Sequence, residues 1–401
     1  MPAERPHILW LPSFYPTPSF PFLGNFFLEH IKLLRKAGWN IGVIYPDICG
    51  LSRIPDTTLR THHFKPIIQY KQGFPEVYLQ GINPFPGLGL SLWKHATRWL
   101  YHLYVQHVGK PDFIHVQSAI WAGWGALHLK KRYGIPYVIT EHRGVLTPHA
   151  QAHLSPLRKK RLLRMKRLVP IYQQATRVGC VSNSISTFLK TLGLVAHADY
   201  LPNYVDTTFF HPPLYSPPSS PFRFLTVCDL RPIKGLDILL KAFQQLHHSY
   251  PDIHLTIVGD GPEKSRLKAT VASLGLSDKI SWTGNIPHEE VRNHMQKAHV
   301  LVLPSRYESF GIVLIEAMAT GLPVIATHSG GPIEIVHPST GWLIPPDQPD
   351  ILTQTMQQAI VRYPEIDRQA IRKYAVENFS EKQWLHRIST FYTHTMKTLA
   401  V

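Results

Sequence analysis

Short apolar runs alternate along this chain with longer stretches in which apolar side chains recur every three or four residues. The runs at 8–11, 41–45, 113–116, 137–140 and 178–181 predict strands, and the periodic stretches at 25–37, 92–108, 121–133 and 157–174 predict helices between them. The interval between 45 and 92 reads as irregular. From 211 to 221 five prolines fall within eleven residues, which neither a helix nor a central strand accommodates, because proline has no backbone N–H to donate. This segment reads as a connection between domains. Beyond it the alternation resumes, with strands at 224–227, 253–258, 280–282, 300–303 and 324–326 and helices at 236–248, 264–273, 291–297 and 312–319.

Strands alternating with helices imply parallel, doubly wound sheets, here two of them, so the expected class is α/β with two Rossmann-like domains. The boundaries expected are 1–205 for the first domain and 206–379 for the second. A length of 401 residues suits two large domains, and 44% hydrophobic residues exclude a wholly disordered or fibrous chain. Three widely spaced cysteines form neither a disulfide framework nor a metal-binding Cys-x-x-Cys, so a reducing, cytoplasmic setting is expected. No apolar stretch reaches the roughly 18 residues of a spanning helix, and prolines interrupt the apolar run near the start, so neither a signal peptide nor a membrane span is expected.

The net charge of +16 lies wholly in the first half: residues 1–205 hold 24 basic and 8 acidic side chains, and the remainder holds 18 of each. Arg158, Lys159, Lys160, Arg161, Arg164, Lys166 and Arg167 crowd ten positions and wrap around a predicted helix. A solvated face is the plain reading of this cluster. The sharper one is contact with an anionic membrane surface, which implies a peripheral position on its inner face.

In doubly wound sheets, ligands bind beyond the carboxyl ends of strands, and the unusual residues follow strands here. The loops are 13–24, 141–144, 229–235, 259–262, 305–311 and 328–331, and one crevice between the domains would collect them. Glu316 is the only charged residue between Ser309 and Glu334, and apolar neighbours cover every face of its helix. The helix is therefore expected to be buried and the carboxylate to have a partner, either backbone amides of a neighbouring loop or the vicinal hydroxyls of a ligand. Lys234, before Gly235 at a helix start, offers an ammonium beside free amides, a combination suited to phosphate. Gly259 and the Gly330–Gly331 pair allow close backbone approach or ordinary turns. No Asp-x-Asp pair, His-Glu-x-x-His, phosphate-binding Gly-rich loop or nucleophile elbow occurs, so no metal site and no cofactor are expected.

Taken together, LRPIKGLDILLKAF, LTIVGDGPEKSRL, ISWTGNIPHEEV, VLVLPSRYESFGIVLIEAMATGLPVIATHSGGPIEIV and GWLIPPD resemble the retaining glycosyltransferases of family 4, which have the two-domain GT-B fold. LGNFFLEHIKLLRKAG, YVITEHRG, VGCVSNS and LPNYVD extend the resemblance to the first half. The resemblance implies that Glu316 binds the ribose hydroxyls of a UDP- or GDP-linked donor. It implies that Glu308 binds the donor sugar, assisted by the amides of Phe310 and Gly311, and that Lys234 holds the diphosphate with the Gly24 backbone nearby. His142 corresponds to the histidine beside the reacting sugar, so His142, Glu308 and Lys234 form the implied catalytic set. Asn285 and Ile286 would border the base, with Gly259 among the donor-binding positions. Where the family has an arginine on the phosphate this chain has Asp229, and Arg231 is the candidate substitute. A final helix within 380–401 would cross back to the first domain.

The implied function is metal-independent hexosyl transfer with retention, to a glycan or lipid-linked acceptor in cell-surface polysaccharide or glycolipid synthesis. A nucleotide-sugar epimerase is the alternative enzyme, and a polyanion-binding, non-enzymatic protein is a weaker one. No nucleic-acid motif accompanies the positive charge, so nucleic acid is not an expected partner.

Overall fold

The computed structural model describes residues 5–17, 23–50, 64–71, 73–83, 88–142, 168–214, 217 and 219–400. In the first half the chain forms β1 (His7–Pro12), α1 (Asn25–Lys36), β2 (Asn40–Gly50), β3 (Pro66–Lys71), β4 (Phe74–Asn83), α2 (Gly89–His107), β5 (Phe113–Gln117), α3 (Trp124–Tyr133), β6 (Tyr137–Glu141), α4 (Val169–Gln173), β7 (Arg177–Cys180), α5 (Asn183–Thr191) and β8 (Asp199–Tyr200). The second half contributes β9 (Phe222–Val227), α6 (Leu236–Ser249), β10 (Ile253–Val258), α7 (Lys264–Ser273), β11 (Ile280–Gly284), α8 (His288–Lys297), β12 (Val300–Leu303), α9 (Ile312–Ala319), β13 (Val324–Thr327), α10 (Pro332–Ile335), β14 (Gly341–Ile344), α11 (Pro349–Arg362), α12 (Arg368–Phe379) and α13 (Glu381–Leu399).

Two sheets result, in the orders β3-β4-β2-β1-β5-β6-β7-β8 and β11-β10-β9-β12-β13-β14. All pairings are parallel except β3 with β4. That antiparallel hairpin occupies part of the interval expected to be irregular: its polar positions, such as Gln69 facing Glu76, break up the apolar runs that mark a central strand. Near-continuous apolar strands such as Phe113–Gln117, buried at every position, are what a sheet covered on both faces requires.

Three further expectations change. The helix expected from 121 is preceded by a π-turn at Ala119–Gly123, and the one expected from 291 begins at His288. Helices α5, α11 and α12 were not anticipated: α11 and α12 carry enough polar residues to blur their periodicity, and α5 is only 9 residues long. Of the helix expected at 157–174 only Val169–Gln173 is described, and the basic cluster from Arg158 to Arg167 lies outside the described residues.

The chain passes between domains twice at one place. The Val205 N–H donates to the Phe379 carbonyl at 2.9 Å and Val205 bridges Ser380, where α13 begins. Trp384, Ile388, Phe391 and Tyr392 of α13 then join the first-domain core beside Trp10, Phe27 and Ile31. Burying four such side chains is worth roughly 1.5–3 kcal/mol each, so the terminal helix is an integral part of the first domain. Among the described residues no helix is long and apolar enough to cross a membrane.

Candidate active site

Apart from the β3–β4 pair both sheets are parallel, so the loops that leave their strands gather at the carboxyl edges. After β9 the chain turns through Pro232–Lys234 and reaches Gly235 at φ 67°, which starts α6. A Cβ at this position would lie 2.1 Å from the Pro304 carbonyl oxygen, so only glycine lets this loop press against the end of β12. That contact brings Lys234 and Glu308 together: Nζ lies 2.5 Å from Oε2, both side chains being largely covered. Ser305 Oγ is 3.5 Å from the same oxygen. Burial alone would lower the Lys234 pKa, but the Glu308 carboxylate outweighs it and holds the ammonium above its ordinary value.

Glu316 stands differently. Helix α9 opens at Gly311, at φ 105°, and it is not buried on every side as expected: Ile312, Val313 and Glu316 share one partly open face while Leu314, Ile315, Ala317 and Met318 are buried. Spaced at 0, 1 and 4, these three residues fall within about 100° of the helix circumference. Among the described residues the Glu316 carboxylate accepts no hydrogen bond and pairs with no cation, so of the two partners expected for it the backbone amides of a neighbouring loop are not observed. Burial pushes its carboxyl up to about 7. A partly open carboxylate with no partner among the described residues is a candidate acceptor for a ligand's hydrogen bonds.

The glycine loops line the same edge. Gly331 N–H donates to the Glu308 carbonyl at 2.9 Å, and Glu308 N–H to the Ser329 carbonyl at 2.8 Å. A Cβ on Gly331 would meet the Phe310 Cα at 2.3 Å, so the 328–331 loop lies flat on the segment carrying Glu308, Phe310 and Gly311. Gly259 N–H donates to the Gly284 carbonyl at 2.9 Å, which places Gly259 beside the exposed Asn285 and half-buried Ile286. Arg231 is exposed, with Nε 3.8 Å from an Asp229 oxygen, so its charge is partly opposed where the sequence invited a phosphate contact.

In the first domain, Gly24 precedes α1 at φ 74°, close against Phe14. His142 follows β6 and is buried, with Nε2 2.8 Å from Gln117 Oε1 and its ring centroid 4.8 Å from Phe27 and 5.3 Å from Phe26. The adjacent Glu141 carboxylate accepts from Ala119 N–H at 3.0 Å and Tyr172 hydroxyl at 2.9 Å, fixing the π-turn that precedes α3. Arg143 and Gly144 lie outside the described residues.

Glu334 was not anticipated. From α10 its carboxylate accepts the Asn183 side-chain amide at 3.0 Å and the Ser184 backbone N–H at 3.2 Å, both at the start of α5 in the first domain. It thus ties the loop beneath Glu308 to the opposite domain. The only signal in the sequence was a charge just after Gly330-Gly331-Pro332, in a stretch otherwise devoid of charge.

Residues 23–209 match the family described as Glycosyltransferase Family 4, and residues 213–377 match Glycosyl transferases group 1. The chain belongs to glycosyltransferase family 4. It is 28% identical over 371 residues to the putative teichuronic acid biosynthesis glycosyltransferase TuaC of Bacillus subtilis, covering 89% of this chain and 88% of that one. It spans about half the length of the first curated relatives it matches. Among solved structures, sucrose-phosphate synthase from Thermosynechococcus elongatus superposes with a TM-score of 0.80 at 22% identity, covering 98% of this chain and 99% of that one. Anabaena HepE in complex with UDP and glucose gives 0.74 at 20% identity, with 97% and 100% covered. At that identity the likeness shows the fold: two facing α/β domains of the GT-B type.

Proposed function

We propose that this family 4 member transfers a hexose with retention, without a metal ion, from a UDP- or GDP-linked sugar to a glycan or lipid-linked acceptor in cell-surface polysaccharide or glycolipid synthesis. The observation that carries the reading is the Glu316 carboxylate, partly open, without a partner among the described residues and on the same loop–helix unit as Glu308 of the Lys234–Glu308 pair. Vicinal ribose hydroxyls would supply the two donors this carboxylate lacks.

Lys234 then supplies positive charge to the departing diphosphate, and Glu308, freed in part from Lys234, accepts from the sugar hydroxyls. The anomeric C–O bond to the diphosphate breaks, and the acceptor oxygen bonds the same face of the anomeric carbon. Its proton passes to the leaving phosphate oxygen. The chain contributes positioning and charge stabilisation, the dominant catalytic term for such a charge-separated transition state. His142 and the Gly24 backbone border this cleft from the first domain.

The likeness to TuaC supports a polysaccharide role, and the UDP and glucose of the HepE complex support a nucleotide-sugar donor. Binding of UDP- and GDP-sugars followed by thermal unfolding, then product analysis with and without acceptor, tests the proposal. Transfer with retained anomeric configuration in the presence of chelator is the expected result. Epimerised donor without transfer would replace this reading with an epimerase, and no nucleotide-sugar binding would remove it.

A further inference from the structure

Strand β5 is buried at every position, yet His115 and Gln117 follow one another on one of its faces. In the parallel register with β6, His115 stands opposite Val138 and Gln117 opposite Thr140, so Thr140 and His142, two residues further on, belong to the same face. Two polar rungs result. In the first, His115 Nδ1 is 2.7 Å from the Tyr392 hydroxyl of α13 and Nε2 is 2.7 Å from Thr140 Oγ1, so both ring nitrogens are satisfied within the chain. The second rung, at the carboxyl edge, is different. Gln117 Oε1 lies 2.8 Å from His142 Nε2, but the Gln117 amide nitrogen, on a side chain only 1% exposed, has no hydrogen-bond partner among the described residues. Burying an amide N–H pair in this way is costly, and methionine would fill the same space without that cost. What distinguishes Gln117 from an apolar residue is therefore what its oxygen does to His142.

An amide oxygen can only accept. The bond to it requires the imidazole hydrogen on Nε2 and puts the lone pair on Nδ1. The ring is also clamped, edge-to-face with Phe27 at 87° and tilted against Phe26 at 43°. The backbone beyond Gln117 is strained. Ser118 has φ 65°, which a serine adopts only when its surroundings impose it. Its N–H donates to the Thr140 carbonyl at 2.8 Å, and the Ser13 hydroxyl, which accepts from the Ala122 N–H at 3.0 Å, donates to the Ser118 carbonyl. The π-turn Ala119–Gly123 follows at once, its first N–H held by Glu141. Strain and a π-turn side by side at the end of a central strand occur where a side chain has to be aimed, and the side chain aimed here is Gln117.

We propose that Gln117 is a positioning residue: by accepting from His142 Nε2–H it fixes one tautomer of His142, so that the imidazole offers a hydroxyl of the reacting sugar a hydrogen-bond acceptor and not a second donor. The placement of His142 beside the reacting sugar rests on the glycosyltransferase reading above, whereas the tautomer does not.

The tautomer is read directly by long-range proton–nitrogen NMR of the full chain labelled in its histidines, with the His142 signals identified by their loss in His142→Asn. A protonated Nε2 and an unprotonated Nδ1 are expected. Gln117→Met should leave a mixture of both tautomers, while Gln117→Glu, whose carboxylate also accepts, should keep the first. In steady-state transfer assays Gln117→Met should lower kcat about tenfold with the donor KM changed less than about twofold, and Gln117→Glu should bring kcat back to within about threefold of the unsubstituted chain. A loss of packing alone would not be repaired by a charged side chain. A hydrogen on Nδ1 in the unsubstituted chain would overturn the proposal even if neither variant folded. So would an unchanged single tautomer in Gln117→Met, or a loss of kcat as large in Gln117→Glu as in Gln117→Met. If the unsubstituted chain transfers no sugar, the glycosyltransferase reading fails and the NMR measurement still decides this one.

Discussion

Replacing Glu316 by glutamine should move stability and ligand affinity in opposite directions. Burial raises the carboxyl from its ordinary 4.5 to about 7, so the folded chain favours the protonated form. Below 4.5 both folded and unfolded chains hold the proton and the group makes no difference. Between 4.5 and 7 the unfolded chain ionises first, so this contribution to stability falls as pH rises, and above 7 the folded chain carries the full cost. The difference of about 2.5 pH units corresponds to about 3 kcal/mol as an upper bound, and the partial opening of the face reduces it. Glu316→Gln keeps the shape without the charge and should stabilise the chain at pH 8 by about 1–3 kcal/mol, a rise of several degrees in the unfolding midpoint, with no gain at pH 4.5. The ribose hydroxyls, however, would lose charge-assisted hydrogen bonds worth about 1–3 kcal/mol, so nucleotide binding should weaken roughly 5- to 150-fold. In the unsubstituted chain binding at pH 6 should release close to one proton, because the ligand selects the ionised carboxylate. Thermal unfolding at both pH values and calorimetry of UDP and GDP in buffers of different ionisation enthalpy read all three effects. A variant less stable at pH 8 with unchanged nucleotide affinity would refute both the burial argument and the ribose role.

Lys234→Ala should weaken nucleoside diphosphate binding at least tenfold while leaving the unphosphorylated nucleoside nearly unchanged, as compared by calorimetry; equal losses for both ligands would place Lys234 away from the phosphates. Gly331→Ala should cost more than about 2 kcal/mol in denaturant unfolding, because its Cβ would meet the Phe310 Cα at 2.3 Å and backbone cannot rotate away. Glu334→Gln weakens the bonds to Asn183 and Ser184, so small-angle scattering should show a larger radius of gyration with little change in melting temperature; an unchanged radius would deny Glu334 a part in holding the domains together. His30 and His115 are held neutral, both lowered to about 3 by burial, so stability should be lost progressively as pH falls below 6.5. His115→Gln should reduce that loss in an acid unfolding series.

The alternation of apolar runs with helical periods was enough to read two parallel α/β sheets, because a strand covered on both faces must be apolar throughout and a covering helix must be amphipathic. Strands at 253–258 and 300–303 and helices at 264–273 and 312–319 follow from local pattern alone. The acidic and glycine positions of the donor loops were equally legible, since residues so costly to bury or so permissive of backbone approach stand out against apolar surroundings. What the pattern could not supply was contact. The β3–β4 hairpin depends on cross-strand pairing rather than on its own periodicity. The partly open stripe of α9 exists because, among the described residues, neighbouring elements cover Ile312, Val313 and Glu316 only in part, a fact about neighbours and not about the helix. Lys234 and Glu308 are 74 residues apart, and only the packing of Gly235 on Pro304 turns two separate site candidates into one ion pair. Arg98 and Arg132 come together on one hydroxyl, beside His102, because α2 and α3 lie side by side over Tyr133, and Glu334 becomes an interdomain tie because the second domain faces α5. Periodicity is a property of consecutive residues, whereas charge proximity, exposure and partner choice arise from distances between elements, and only the folded chain sets those.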